Sequence, residues 1–411
     1  MSTLYDICIV GAGMVGSAAA KWLSREPGIK VCLLGPQEPT PEEWRSEKRN
    51  VFSSYYDEGR ITRELDPNIT WATLAQRSIQ EYDNIERESG IQFYEEVGCL
   101  FIDEEARENI KSTIENAEEM NLDTYEHLST DELRKKYPYM RIGDGWQGLL
   151  NFKNAGHISP RRLVAAQQKV AEAGGCDVVV DIAVTVTDGE SEGDGRGGDV
   201  VMIQCESGRK IQAKKALLCT GAFTNCHRLL PGDKQVDFYP CQSLVLKLEL
   251  TEEDVKNLSA MPCILCTAPG LESYILPPIQ YPDGKYYLKL GGWSRGVQIN
   301  DLAEIGAWFR SQGENHEGVE SLHQKIMSLI PGLNPVSMAT ACCVSSPTPT
   351  DHLFCDMITP RLGAAVCMVG RGAKSSDEIG RMAARMIAKG SWDYDLPAEY
   401  FKLRYRPSKS E

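Results

Sequence analysis

The tightest constraint on how this chain folds is the run Asp6-Ile-Cys-Ile-Val-Gly11-Ala-Gly13-Met14-Val15-Gly16-Ser-Ala-Ala-Ala near its start. Ile7 to Val10 reads as a buried strand that turns through glycines into an Ala-rich helix. Gly11 suits the tight turn, Gly13 lets the backbone approach a pyrophosphate, and Gly16 lets the helix lie close on the strand. The first N–H groups of that helix, with Met14 and Val15 among its opening residues, and its positive dipole end then face the phosphates. A second apolar strand, Ile29-Lys-Val-Cys-Leu-Leu34, completes the unit. The spacing predicts a dinucleotide site. One position departs from the pattern. An Asp or Glu usually ends the second strand and takes the ribose hydroxyls; Gly35 stands there, with Glu38 the nearest substitute.

At 411 residues the chain is too long for one ordinary core, so two domains are expected. Its net charge of −14 argues against nucleic acid and acidic membranes as partners. No apolar run approaches the roughly 20 residues of a membrane span, no signal peptide opens the chain, and Ser408-Lys-Ser-Glu411 is not a peroxisomal tripeptide, so a cytoplasmic location is expected. The 14 cysteines are read as thiols, many of them in apolar runs. Cys263-Ile-Leu-Cys266 has no second pair to complete a metal site.

Residues 39–50 read as a loop. The stretch from Phe52 to Arg63 is dense in hydrogen-bonding groups, Ser53 and Ser54 among them, and ends in two arginines three apart. If it begins a helix, Arg60 and Arg63 share a face. A helix is expected over 70–89, strands over 91–102, and charged surface helix over 103–140. Ser159 and Pro160 open a helix that runs to about Ala173. Strands at 182–187 and 200–205 are joined by a flexible Gly- and acid-rich hairpin loop, and the strand from Lys215 ends in Thr220-Gly221-Ala222. Residues 240–340 read as an antiparallel sheet with helices near 300–312 and 319–330. A buried strand over 363–369 then enters Gly370-Arg371-Gly372-Ala373-Lys374-Ser375 and a final helix, with Ser375 and Glu378 at capping-box spacing. The fold class expected is α/β plus α+β. A discontinuous Rossmann-like domain (1–88, 150–232, 340–411) accompanies a mixed or antiparallel-sheet substrate domain (89–149, 233–339).

Taken in order, these motifs resemble a family. An N-terminal GxGxxG, Arg-Ile-x-Arg, a strand ending in Thr-Gly-Ala, a Lys-Leu-Gly strand, a Cys shortly before Asp-His, and a Gly-x-Lys entering a helix span nearly the whole chain. The set resembles the FAD-dependent amine oxidases of the monomeric sarcosine oxidase and pipecolate oxidase type, in the D-amino-acid-oxidase/glycine-oxidase superfamily. The resemblance implies FAD held by Gly11, Gly13, Met14, Val15, Gly16, Ser53, Ser54, Val184, Gly221, Gly370, Arg371, Gly372 and Lys374. It implies that Arg60 lies by the flavin ring. Cys343 would carry the flavin through a thioether, with Cys342 as second choice. Arg63 and Lys374 match the pair that binds the substrate carboxylate, Lys289 the lysine that activates dioxygen, and Tyr274 an active-site tyrosine.

Some positions depart from the family. Tyr55 and Tyr56 stand where histidines are expected, Trp293 stands for a third, and Ser345 and Ser346 replace a tyrosine and a threonine. Tyr56 and Trp293 would thus reline the pocket around the amine. The resemblance implies oxidation of the C–N bond of a secondary, N-methylated or cyclic amino acid other than sarcosine. Dioxygen would become hydrogen peroxide, the imine would hydrolyse, and the enzyme would be a monomer. Two other readings stand beside it: a flavin dehydrogenase of a 2-hydroxy acid with a non-oxygen acceptor, which Lys289 speaks against, and a non-catalytic flavoprotein subunit, which turnover of any amine would exclude.

Overall fold

Residues 7 to 10 are apolar on both faces and wholly buried, which suits a strand in the middle of a parallel sheet. In the computed structural model, which describes residues 3–104, 108–189, 200–232, 234–292 and 296–407, the strand Leu4–Val10 lies between Val31–Gly35 and Lys210–Leu218. Asp177–Val180 extends the sheet on one side, and Leu362–Val366 pairs with the end of Lys210–Leu218 on the other. Five parallel strands thus come from the start, middle and end of the chain. Ala183–Asp188 and Val201–Cys205 form an antiparallel pair on the first half of Lys210–Leu218. Residues 190–199, most of the expected hairpin loop, lie outside the described residues.

Helices Met14–Ser24, Ile69–Ser89, Pro160–Ala173 and Gly372–Lys389 pack together beside this sheet. Their ends follow from local chemistry. Asn68 accepts from the Trp71 amide, Ser159 accepts from the Arg162 amide with Pro160 in the first turn, and Gly90 closes the second helix at φ +67°. Lys21 and Asp377, both fully buried, pair at 2.8 Å across the bundle, and Gln167 donates to the same carboxylate at 3.0 Å.

The second sheet has eight strands in the order Ser337–Ser345, Cys241–Glu249, Tyr286–Gly292, Ser273–Gln280, Cys263–Cys266, Cys99–Glu104, Trp146–Asn151, Tyr125–Leu128. All its pairs are antiparallel except Cys263–Cys266 with Cys99–Glu104. Its register slips between Leu276 and Ile279, where Pro277 and Pro278 offer no N–H to the ladder. Cys263 and Cys266, three apart on one strand, face opposite sides. Arg60–Thr62, Gly156–Ile158 and Tyr94–Glu95 form a small third sheet, and Phe354–Met357 pairs antiparallel with Leu362–Val366 in the first.

Several expectations are corrected. Arg60–Thr62 is a strand, so the two arginines reach their partners from extended chain and not from one helical face. Residues 39–50 contain the helix Pro41–Arg45, closed by a Thr40/Glu43 capping box. The 103–140 region holds two helices, Glu108–Glu119 and Thr130–Lys136, with the strand Tyr125–Leu128 between them. The strand expected over 363–369 stops at Val366, and Cys367 and Val369 take left-handed φ of +65° and +51°. The last helix begins at Gly372, which puts Ser375 and Glu378 inside it, so they form no capping box. No described helix is long and apolar enough to cross a membrane. We propose that the chain divides into the two domains set out above; Trp146–Asn151 and Ser337–Ser345 run through the expected boundaries at 149/150 and 339/340.

Candidate functional site

A cavity of about 640 Å³ runs along the C-terminal ends of the parallel strands and under the antiparallel sheet. In an open α/β sheet this is where ligands bind. Val10, Leu34, Cys219 and Ala365 mark the strand ends that floor it. The turn is built for close approach. Gly11 has φ +112°, and a Cβ there would stand 2.3 Å from the Cys219 carbonyl oxygen. Gly16 does not line the cavity; a Cβ on it would stand 1.8 Å from the Gly11 oxygen, so its part is to seat the helix on the turn.

Two helix N-termini open into this one cavity. Neither Gly13 nor Arg371, the capping residues of Met14–Ser24 and Gly372–Lys389, offers a side-chain cap. Gly13, Met14 and Val15 from the first, and Gly370, Arg371 and Gly372 from the second, line the wall. Uncapped N–H groups and two positive dipole ends favour an anionic ligand. Ser53, Ser54 and Gly221 also line it.

Farther along, the sheet face carrying Phe101, Leu265 and Tyr274 closes the cavity. Arg60, Arg63, Cys343 and Lys374 line it too. Tyr274 fits because Gly291 lies opposite: a Cβ there would be 2.3 Å from the phenol oxygen. Arg63 Nη2 and Lys374 Nζ donate to the same oxygen, Asp66 Oδ2, at 3.1 and 2.8 Å. Arg371 Nε lies 3.8 Å from that oxygen. Burial would raise the Asp66 carboxyl, but Lys374 and Arg63 hold it at about 2. Burial pushes Lys374 down to about 7 in spite of Asp66.

Cys343 lines the cavity and its neighbour Cys342 does not; the Cys342 thiol points to the Phe309 carbonyl at 3.8 Å. Lys289 also stands outside the lining residues. It is fully buried behind Gly59 and Arg60, with Nζ 2.5 Å from Asp57 Oδ2 and 2.5 Å from the Gly59 oxygen. Burial and the neighbouring Arg60 bring it down to about 8.

Three expected contacts are corrected. Tyr56 turns away, its hydroxyl 3.3 Å from the Gln37 oxygen and its ring against Trp44, and Tyr55 lines the cavity instead. Val184 does not line the cavity, where Ile182 and Ala183 stand, and its carbonyl accepts from the Arg228 amide at 3.1 Å. Glu38 is held by Arg161 through two bonds of 2.7 Å and does not reach the cavity. Trp293 lies outside the described residues.

Comparison with known proteins agrees with this geometry. Residues 6–386 match the family described as FAD dependent oxidoreductase. The chain belongs to this family. It is 24% identical over 400 residues to a monomeric sarcosine oxidase from a Bacillus species, covering 96% of this chain and 95% of that one. Against an N-methyl-L-tryptophan oxidase from Escherichia coli it is 22% identical over 399 residues, covering 95% and 97%. The solved structure of NikD, an unusual amino acid oxidase essential for nikkomycin biosynthesis, superposes with a TM-score of 0.75 at 17% identity over the whole of both chains.

The residues of this FAD-dependent oxidoreductase fit its cofactor. The Gly11 cradle and the open helix end at Gly13 would take the pyrophosphate, and the strand ends at Leu34 and Gly35 bound the cavity beyond them. The missing acid at Gly35 has a steric cause. A Cβ there would stand 2.5 Å from the Ala12 nitrogen and 2.7 Å from its Cβ. Gly35→Glu, which returns the acid, is therefore expected to destabilise the protein by about 1–3 kcal/mol and not to tighten FAD. Thermal melts with and without FAD check this; an unchanged melting point with tighter FAD binding would overturn it.

Asp57, Asp66 and Tyr281, which donates to Asp57 Oδ1 at 2.8 Å, carried no sequence signal of their own. Each acid sits in a polar stretch and reads as a solvated surface group. The only local hint was its place three residues from an arginine: Asp57 before Arg60, Asp66 after Arg63.

Proposed function

We propose that this protein oxidises the C–N bond of a secondary, N-methylated or cyclic amino acid, with dioxygen as acceptor, hydrogen peroxide as product and the imine hydrolysed in water. The observation that carries the reading is the convergence of Arg63 and Lys374, which both line the cavity, on one oxygen of the buried Asp66 behind them. A guanidinium and an ammonium at that spacing suit a second carboxylate, that of an amino-acid substrate. Bound FAD supplies a two-electron acceptor for the C–H bond beside the amine. The clamp would hold the substrate by its carboxylate end, so that this bond has one orientation; such positioning is worth several kcal/mol. Phe101, Leu265 and Leu276 give the same end of the cavity an apolar wall, which supports a substrate with a larger uncharged side chain than sarcosine has. Lys289, behind Arg60, would stabilise negative charge that develops on dioxygen.

The test is a peroxide-release screen across N-methyl, cyclic and primary amino acids. Release from a carboxylate-bearing secondary amine supports the reading; no release, with flavin bound and unreduced by every such amine, overturns it. We further propose that Cys343 carries the flavin covalently. Cys343→Ala is then expected to release the flavin into the supernatant on acid precipitation, and Cys342→Ala to retain it. Retention in Cys343→Ala would reject this attachment.

A further inference from the structure

Asp57 sits at the centre of the charged cluster behind the cavity wall. Its carboxylate accepts from four donors: Lys289 Nζ at 2.5 Å, Arg60 Nη1, the Tyr281 hydroxyl at 2.8 Å and the Glu58 amide at 2.8 Å. Basic groups face it from every side. Arg60 stands toward the cavity, and Lys247 lies directly opposite Lys289 in the sheet register. Lys247 packs over the rings of Tyr281 and Tyr287 at 4.9 and 5.3 Å. His157 approaches from Gly156–Ile158, held neutral by burial to about 4. Tyr274 and Cys343 face Arg60 from the antiparallel sheet. The neighbouring acid, Glu58, is committed to Arg161 and to Ser159. Asp57 is therefore the carboxylate that offsets Lys289 in this cluster.

We propose that Asp57 is a positioning residue that keeps Lys289 charged and fixed beneath the cavity wall, with Tyr281 holding the carboxylate in place. The inference rests on the oxidase reading of Lys289 given above. The physical ground is simple. A fully buried lysine beside a guanidinium sheds its proton to escape both desolvation and repulsion. Burial and Arg60 both act in that direction on Lys289, and Asp57 opposes them. Two short bonds, to Asp57 and to the Gly59 carbonyl, also leave the ammonium little freedom to move. Without the Asp57 charge, Lys289 would lose its proton at a lower pH.

The experiment reads Lys289 directly. The flavin-loaded protein carrying 13Cε-labelled lysine is titrated by NMR, with the Lys289 signal assigned by its loss in Lys289→Met. Asp57→Asn is expected to lower the Lys289 midpoint by about one pH unit or more, and Asp57→Glu to restore it. If Asp57→Asn does not fold, Asp57→Ser carries the same expectation. An unchanged midpoint in the folded neutral variant overturns the proposal. Reoxidation of the reduced flavin by dioxygen, followed from pH 6 to 9, should lose its rate at lower pH in Asp57→Asn than in the parent and recover on acidification; where Lys289→Met slows reoxidation, superimposed profiles would also overturn it. If Lys289→Met reoxidises like the parent, the oxidase reading of Lys289 fails, while the NMR midpoint still decides what Asp57 does.

Discussion

Lys289→Met is expected to slow the reaction of the substrate-reduced enzyme with dioxygen about 100- to 1,000-fold, the usual cost of losing one well-placed electrostatic group. Reduction by substrate should change only a few-fold. The asymmetry follows from the geometry. Lys289 does not line the cavity, so it makes no contact with a substrate there, and its charge acts from behind Gly59 and Arg60. The variant should also fold, because Asp57 keeps Arg60, Tyr281 and the Glu58 amide after the ammonium is gone. Stopped-flow measurement of the two half-reactions separates them. Equal slowing of both would contradict the role assigned to Lys289.

Lys374→Met should cost the clamp about 2–5 kcal/mol of transition-state binding, or about 30- to 5,000-fold in kcat/KM, for amines that carry a carboxylate. An amine without one should lose far less. Part of that cost is the buried Asp66 carboxylate losing its nearest cation and keeping Arg63, the more distant Arg371 and the Asn68 amide, so Lys374→Met combined with Asp66→Asn should recover stability without recovering specificity. The pH dependence has a definite sign. Binding a carboxylate requires the Lys374 ammonium, and burial brings that group down to about 7. Asp66, held at about 2, stays charged throughout. The affinity for an unreactive carboxylate ligand is therefore expected to be full below about pH 7 and to fall as pH rises through it, with one proton taken up on binding above it. Calorimetry in buffers of different ionisation heat checks both statements, and a profile flat to pH 9 would overturn them.

How far the sequence carried depends on the range of the interactions involved. The first strand, the glycine turn and the helix after it were legible because strand, turn and cap are set within a dozen residues. The same holds for Ser159 before Pro160–Ala173. Arg63, Lys374 and Cys343, which the family resemblance singles out, all line the cavity. The site was not legible where meaning depends on a distant partner. Asp57 meets Lys289 across 232 positions, and Asp66 meets Lys374 across 308. Apart from an arginine three residues away, nothing near either acid in the chain separates it from an ordinary surface carboxylate. Glu38 misled for the opposite reason: it stands at the right distance along the chain from the second strand, but Arg161, 123 positions away, takes it. The strand at Arg60–Thr62 likewise owes its form to its partner, Gly156–Ile158, and not to local propensity.

The parallel sheet, assembled from the start, middle and end of the chain, has a consequence for biosynthesis. At roughly 5–20 residues per second, a ribosome takes on the order of tens of seconds to pass from Gly11 to Lys374. Through that interval the nascent chain lacks Leu362–Val366 and the helix Gly372–Lys389, whose Ile379, Met382 and Ala383 share a core with Ala19, Ala20 and Leu23 of the first helix. The first helix must wait with the part of its apolar side that meets Gly372–Lys389 uncovered, and the helix end at Gly370 to Gly372 does not yet exist. Cofactor capture is thus tied to the arrival of Leu362–Val366 and Gly372–Lys389, near the end of synthesis, and the newborn chain depends on shelter until then.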